Sequence, residues 1–180
     1  MGNPIKILKM SYIYTLGPTM TNCEKAAIEW NKKTNSNAEI ILFDTLEDAC
    51  YEMQQKKDEN IVLMSCIVYP KLFELVFNNL TNMEFQELYL TDTYPMVLAT
   101  KDPKAPIYKV ASHPAPSPLL KDTNYEVHLA NSNADAALLC INGVTDACIT
   151  TGRCVEEHSL QIIKDFGAIK MGFALHKLKS

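Results

Sequence analysis

Ser11-Tyr12-Ile13-Tyr14-Thr15-Leu16-Gly17-Pro18-Thr19-Met20-Thr21-Asn22-Cys23-Glu24 decides how the rest of the chain is read. β-branched and aromatic residues run up to Leu16, Gly17-Pro18 breaks the run, and Thr21 with Glu24 three residues later forms a capping box. The stretch predicts a strand, a turn and a helix over residues 25–33. The same order recurs twice. Residues 38–43 form a strand, and Thr45 with Asp48 caps a helix running to about Lys57, with Leu46, Ala49, Cys50 and Met53 on one face. Asn60 to Cys66 is a third buried strand, and Pro70 suits the first turn of a helix carrying Leu72, Leu75, Val76 and Leu80. Three β-α units in succession predict an α/β fold with a parallel sheet.

From Glu84 to Lys101 the pattern changes, because β-formers on either side are interrupted by Asp92-Thr93-Tyr94-Pro95. This reads as a crossover into a second lobe. That lobe continues with a strand at 107–111, a proline-studded segment after His113, a strand at 125–130, and a helix from Asn133 to Asn142. Gly143 stands where a left-handed C-terminal cap belongs. A strand at 146–150, a short helix at 152–158 and β-type sequence over 160–166 and 169–176 end the chain. The tail is expected to return to the first lobe, giving one lobe of residues 1–83 and 160–180 and a second of 84–159.

A length of 180 residues supports two small lobes with their own cores. A net charge of −4 with no basic stripe argues against a nucleic-acid partner, since phosphate binding needs clustered lysines and arginines. The longest apolar runs are strand-sized and predict no membrane span. Met1 to Met10 lacks the apolar core and cleavage site of a signal peptide, so the expected location is cytoplasmic. The six cysteines include no C-x-x-C pair and read as reduced thiols in or near the core, with no metal site.

Four loop-to-helix junctions follow strands and present unpaired backbone N–H groups at the positive end of a helix: Gly17 to Thr21, Ser112-His113-Pro114, Asn131-Ser132-Asn133 and Thr150-Thr151-Gly152. In α/β sheets ligands collect beyond the carboxyl ends of strands. Thr21 and Ser132, each with an acidic residue three positions on, are also fully explained as helix caps. His113 follows a buried strand and is held open by prolines at 114, 116 and 118, so it is either a site histidine or a structural one. Arg153 is the only arginine, so a di-acid must be held mainly by backbone amides, hydroxyls, asparagines and Lys101. No Walker or dinucleotide glycine motif and no Gly-x-Ser-x-Gly elbow is present.

Leu16-Gly17-Pro18 with Thr21 and Ala26-Ala27 is similar to the opening of prephenate dehydratases. Ser112-His113-Pro114 resembles their interlobe motif. Asn131-Ser132, Ala136-Ala137 and Asn142-Gly143-x-x-Asp146-Ala147 resemble their second-lobe helix and strand. Two motifs depart. Dehydratases carry Pro-x-Glu-Asn-Ser after the third strand, where this chain has Met64-Ser65-Cys66-Ile67-Val68. They also carry Thr-Arg-Phe near the end, whose threonine assists loss of the ring hydroxyl, where this chain has Ile169-Lys170-Met171-Gly172-Phe173. Met20 stands where a glycine is usual, and Thr19 where an acidic residue is. The pattern looks closest to the non-aromatising prephenate decarboxylases of the bacilysin-pathway type.

That resemblance implies the two-lobed, periplasmic-binding-protein-like type II fold with its active site in the interlobe cleft. It also implies a carbon-carbon lyase without a cofactor, a small-molecule substrate such as prephenate, and a homodimer as the ordinary assembly; the ACT regulatory domain that often follows in dehydratases is expected to be absent. The expected catalytic residues are His113, Ser112 and Thr151, with the proton coming from His113 or from a water on Ser112 or Thr151. Thr19, Met20, Thr21, Asn131, Ser132, Asn133, Thr150 and Lys101 are the expected substrate-binding residues, Met20 forming a less polar wall for the departing carboxylate. Residual prephenate or arogenate dehydration, and a non-catalytic module binding an aromatic amino acid, are the rival expectations.

Overall fold

The computed structural model describes residues 10–56, 58 and 60–179, so the signal-peptide reading of the first residues and the end of the second helix at Lys57 lie outside the described residues. In chain order the elements are β1 (Tyr12–Leu16), α1 (Asn22–Thr34), β2 (Glu39–Phe43), α2 (Leu46–Lys56), β3 (Ile61–Cys66), α3 (Leu72–Asn78) and β4 (Met83–Asp92). They continue with β5 (Met96–Thr100), β6 (Lys109–Ser112), a 3-10 turn at Ser117–Leu120, β7 (Glu126–Leu129), α4 (Asn133–Ile141), β8 (Ala147–Thr151), α5 (Gly152–His158), β9 (Gln161–Gly167) and β10 (Lys170–Leu178). No described helix is long and apolar enough to cross a membrane.

The chain divides into two compact units. The first takes the chain up to Gly17, Cys23–Thr91, and the tail from Met171; the second takes Pro18–Asn22 and Asp92–Lys170.

The first unit is a sheet in the order β2-β1-β3-β10-β4. β1 runs parallel to β2 and β3, and β10 enters antiparallel to β3 with Leu175 opposite Met64. The sheet is therefore mixed, because the tail returns to it from the far end of the chain. Alternate residues serve opposite faces, as a strand's two-residue period requires. Ile13, Val62, Phe173 and Leu175 pack against Ala26, Ala27 and Trp30 of α1. Tyr14, Ile61 and Leu63 pack against Leu46, Ala49, Cys50 and Met53, the predicted stripe of α2. The expected cap of α2 is formed: the Thr45 hydroxyl accepts the Asp48 N–H at 3.0 Å and donates to its carboxylate at 2.6 Å.

The second unit is a sheet in the order β7-β6-β8-β5-β9. β6 is parallel to β7 and β8, whereas β5 is antiparallel to β8 and β9. On one face Ala134, Ala136, Ala137 and Cys140 of α4 meet Val97, Ala99, Ala111 and Cys148, together with Cys154 and Val155 of α5. Small side chains on both partners let helix and sheet pack without a large residue between them. The other face buries Met96, Leu98, Val110, Leu120 and Ile149. α4 ends as predicted: Gly143 has φ +73, its N–H donates to Cys140 O at 3.1 Å, and the Val144 N–H donates to Leu139 O at 3.0 Å, a Schellman closure.

The boundary between the units differs from the expected 84 and 160. β4 belongs to the first sheet, and β9 lies at the edge of the second beside β5. The chain therefore crosses after Thr91 and returns at Met171. The six cysteines are free thiols, five of them buried.

Candidate functional site

β6, β7 and β8 are mutually parallel through β6, so their carboxyl ends lie at one edge of the second sheet. Ser112, Leu129 and Thr151 close these strands, and α4 and α5 begin directly beyond β7 and β8. This edge is where an open α/β sheet receives a ligand.

The junction before α4 is tightly built. Ser132, the N-cap, accepts the Asp135 N–H at 2.9 Å, and the Asp135 carboxylate reaches back to accept the Asn131 N–H, one residue before the cap, at 3.0 Å. Thr150, fully buried on β8, donates its hydroxyl to the Asn133 carbonyl at 2.7 Å and so fastens the first residue of α4 to the sheet. The Asn133 Nδ2 lies 4.0 Å from the Met96 sulfur, and its Oδ1 is enclosed without a hydrogen-bond partner among the described residues. α4 is nine residues long, and the N–H groups of its first turn carry the positive end of its dipole.

The first loop joins this group. Residues Pro18–Asn22 cluster with the second unit, and Met20 packs against the core beneath α4. Asn22 Oδ1 accepts the Tyr94 N–H at 2.8 Å, holding the loop to the segment before β5. Thr93 exchanges two hydrogen bonds with Ile169, donating its N–H at 2.9 Å and accepting the Ile169 N–H on its hydroxyl at 3.1 Å. Asn22 carried no signal in the sequence, since its partner is 72 residues away. Thr19 is exposed and Thr21 is buried.

Met20 has φ +66, the left-handed region that a side chain enters at a cost of about 1–2 kcal/mol. A glycine at this position would carry no such cost, which gives a physical reason for the glycine usual in prephenate dehydratases. Here the packing of the methionine side chain offsets it. Met20→Ala keeps the strained backbone and loses the packing, whereas Met20→Gly loses both together. Urea midpoints are expected to place the alanine variant below the glycine variant by about 1 kcal/mol; the reverse order would show that the loop does not hold this conformation in solution.

Ser112 and Thr151 are both brought to the edge. Each is fully buried. The Ser112 hydroxyl donates to the His113 carbonyl at 2.9 Å. The Thr151 hydroxyl accepts the Cys154 N–H and donates to the Cys154 sulfur, both at 3.2 Å, capping α5. Enclosed and locally bonded, their hydroxyls shape the turns that follow β6 and β8. His113 is half-buried, with its Nδ1 accepting the Ala115 N–H at 3.2 Å, and burial pushes its pKa below the ordinary histidine value.

Lys101 is not brought to this edge. β5 is antiparallel to β8, so Met96 lies level with Thr151 while Thr100 lies level with Ala147 at the opposite end. Lys101 is therefore a strand length away, roughly 15 Å, and its ammonium donates to the Ile141 carbonyl at the C-terminus of α4 at 2.9 Å. Arg153 forms ion pairs with Glu156 at 3.7 Å and Glu157 at 3.4 Å on its own helix. An anion at this edge would meet backbone amides, asparagine amides and the His113 ring, with no lysine or arginine among the residues assigned to it.

In the first unit, Ile67 and Gly172, one from each of the two stretches that depart from the dehydratase motifs, touch each other. The Ile67 N–H donates to the Gly172 carbonyl at 3.1 Å. A Cβ added at Gly172 would lie 2.9 Å from Ile67 Cδ1 and 3.1 Å from Leu88 Cδ1. Apolar side chains close this position.

No family model matches the chain. A prephenate decarboxylase of Planktothrix agardhii is 25% identical over 186 residues, covering 94% of this chain and 90% of the relative. Among solved structures, the prephenate dehydratase of Arthrobacter aurescens in complex with L-Phe superposes with a TM-score of 0.70 at 17% identity. That match covers 94% of this chain, which spans 61% of the dehydratase chain. The periplasmic VFT2 domain of Bordetella pertussis BvgS superposes with a TM-score of 0.59 at 19% identity, covering 94% of this chain and 81% of that one. The structural likenesses establish the periplasmic-binding-protein-like type II fold. By sequence and by fold, the chain resembles the prephenate dehydratase-like proteins, and among them a prephenate decarboxylase.

Proposed function

We propose that the protein is a prephenate decarboxylase that removes CO2 without aromatising the ring, giving a dihydro-4-hydroxyphenylpyruvate for specialised-metabolite biosynthesis. The observation that carries the reading is a contrast. The segments resembling the family's binding motifs gather at one edge of the second sheet, while Ile67 and Gly172, one in each of the two stretches that differ from the dehydratases, are hydrogen-bonded to each other and closed in by apolar side chains.

In the proposed reaction the electron pair of the breaking C–CO2 bond forms a new ring double bond. The neighbouring double bond shifts, and a proton is added to the ring carbon at its far end. The ring hydroxyl must stay unprotonated, or water leaves and the ring becomes aromatic. The substrate's side-chain carboxylate and keto oxygen sit at the start of α4, near Asn131 to Asn133 and the 18–22 loop. There fixed N–H dipoles face charge without reorganising during the reaction. The departing carboxylate is placed against Met20, where weak solvation of the anion favours its loss as neutral CO2.

Incubating the purified protein with prephenate and identifying the product by mass and absorbance tests this directly. A product lighter by CO2 alone, still carrying its hydroxyl, is expected. Phenylpyruvate, lighter by CO2 and water, would mean dehydration. The likeness to a periplasmic VFT2 domain favours one further reading, a binding module without chemistry. Unchanged prephenate together with tight binding of an aromatic amino acid would support that reading instead.

A further inference from the structure

We infer that His113 acts as a neutral Nε2–H hydrogen-bond donor to a substrate oxygen, locked in that tautomer by the Ala115 amide, and that it does not supply the proton that quenches the ring. The role in turnover rests on the prephenate reading; the tautomer does not.

The local sequence is His113-Pro114-Ala115-Pro116-Ser117-Pro118. Proline has no N–H and holds φ near −65°. Between His113 and Ser117 the backbone therefore offers one donor, the Ala115 N–H, and it is aimed at the histidine's own Nδ1 at 3.2 Å. The turn is fastened on both sides. The Ser117 hydroxyl donates to the Pro114 carbonyl at 2.8 Å, and the Leu119 N–H donates to the Pro116 carbonyl at 2.9 Å. The Ser112 hydroxyl holds the His113 carbonyl at 2.9 Å.

A ring nitrogen that accepts a hydrogen bond carries a lone pair, so the single proton of neutral imidazole resides on Nε2. Protonating Nδ1 would set two N–H groups against each other and break the contact with Ala115. Half-burial opposes the charged ring as well, and no charged side chain contributes to its shift. A ring kept neutral is a poor acid but a good fixed donor. An Nε2–H facing a keto or carboxylate oxygen binds charge without a proton ever being transferred, which leaves water to protonate the ring carbon. It also leaves the substrate hydroxyl without an acid to expel it.

Two measurements decide the inference. Nitrogen-15 NMR of the substrate-free protein at neutral pH is expected to show a pyridine-type Nδ1 and a pyrrole-type Nε2 for His113. The opposite tautomer, or a doubly protonated ring, would overturn it. With prephenate, kcat/KM is expected to stay flat as the pH rises from neutral into the mildly alkaline range. A fall of about tenfold per pH unit, lost in His113→Gln, would make His113 the general acid and overturn the inference. His113→Ala is expected to lose about 10–100-fold in kcat/KM, with His113→Gln recovering most of it, because a glutamine amide places an N–H near the Nε2 position. Equal losses in both variants would count against the donor role. The expected tautomer with no turnover of prephenate would overturn the substrate reading and leave the ring assignment standing.

Discussion

Replacing Thr151 with valine is expected to lower stability by about 2 kcal/mol while leaving turnover per folded molecule nearly unchanged. Valine matches threonine in shape, so the packing at this fully buried position is kept and only the hydroxyl is removed. The Cys154 N–H, which now donates to that hydroxyl at 3.2 Å, would be left inside the protein at a fully buried residue without a partner. The loss is larger than that of an exposed cap because water cannot replace the bond. Thr151→Ser keeps the oxygen and should restore most of the stability. Urea unfolding read alongside turnover of the native fraction separates the two roles proposed for this residue. A valine variant of unchanged stability and collapsed turnover would return Thr151 to the chemistry as the holder of a reacting water.

Thr151 also marks the limit of what the sequence made legible. Features set by neighbours a few residues apart were readable in advance: the Thr45–Asp48 and Ser132–Asp135 caps, the buried stripe of α2 and the left-handed Gly143. Capping is local chemistry, so a residue pair three apart carries its own evidence. Strand partnership is not local. Residues 160–166 and 169–176 both have β-type sequence, yet β9 joins the second sheet and β10 the first, through pairings whose partners lie far away in the chain. The misplacement of Lys101 has the same origin. It follows an apolar strand as the site residues do, but β5 runs antiparallel to β8, which carries Lys101 to the opposite edge. Asn131 to Asn133 and Thr150 were readable as two separate strand-to-helix junctions; the hydroxyl-to-carbonyl bond joining them, and the Asn22–Tyr94 tie, required the folded chain.

Gly172→Arg is expected to destabilise the first unit by about 3 kcal/mol or more and to yield no phenylpyruvate. The substitution places an arginine in the stretch where the dehydratases carry Thr-Arg-Phe, so it asks whether the missing motif can simply be written back. The surroundings oppose it. Gly172 is buried on β10, and its added Cβ would stand 2.9 Å from Ile67 Cδ1 and 3.1 Å from Leu88 Cδ1. Those contacts are the ends of flexible side chains and about half-exposed residues, so alanine should be accommodated by small shifts, at about 1 kcal/mol or less. The guanidinium is a different matter, since it must either displace both apolar side chains or bury a charge that no carboxylate in the Met64–Val68 stretch can meet. Pairing Gly172→Arg with Ile67→Glu supplies an opposite charge beside the hydrogen bond that already joins residues 67 and 172, and should recover part of the lost stability. Recovery in the pair without any gain in dehydration would mean that hydroxyl loss needs the motif threonine and its proton as well as the charge. A fully stable single variant would show that Ile67 and Leu88 do not close this position in solution.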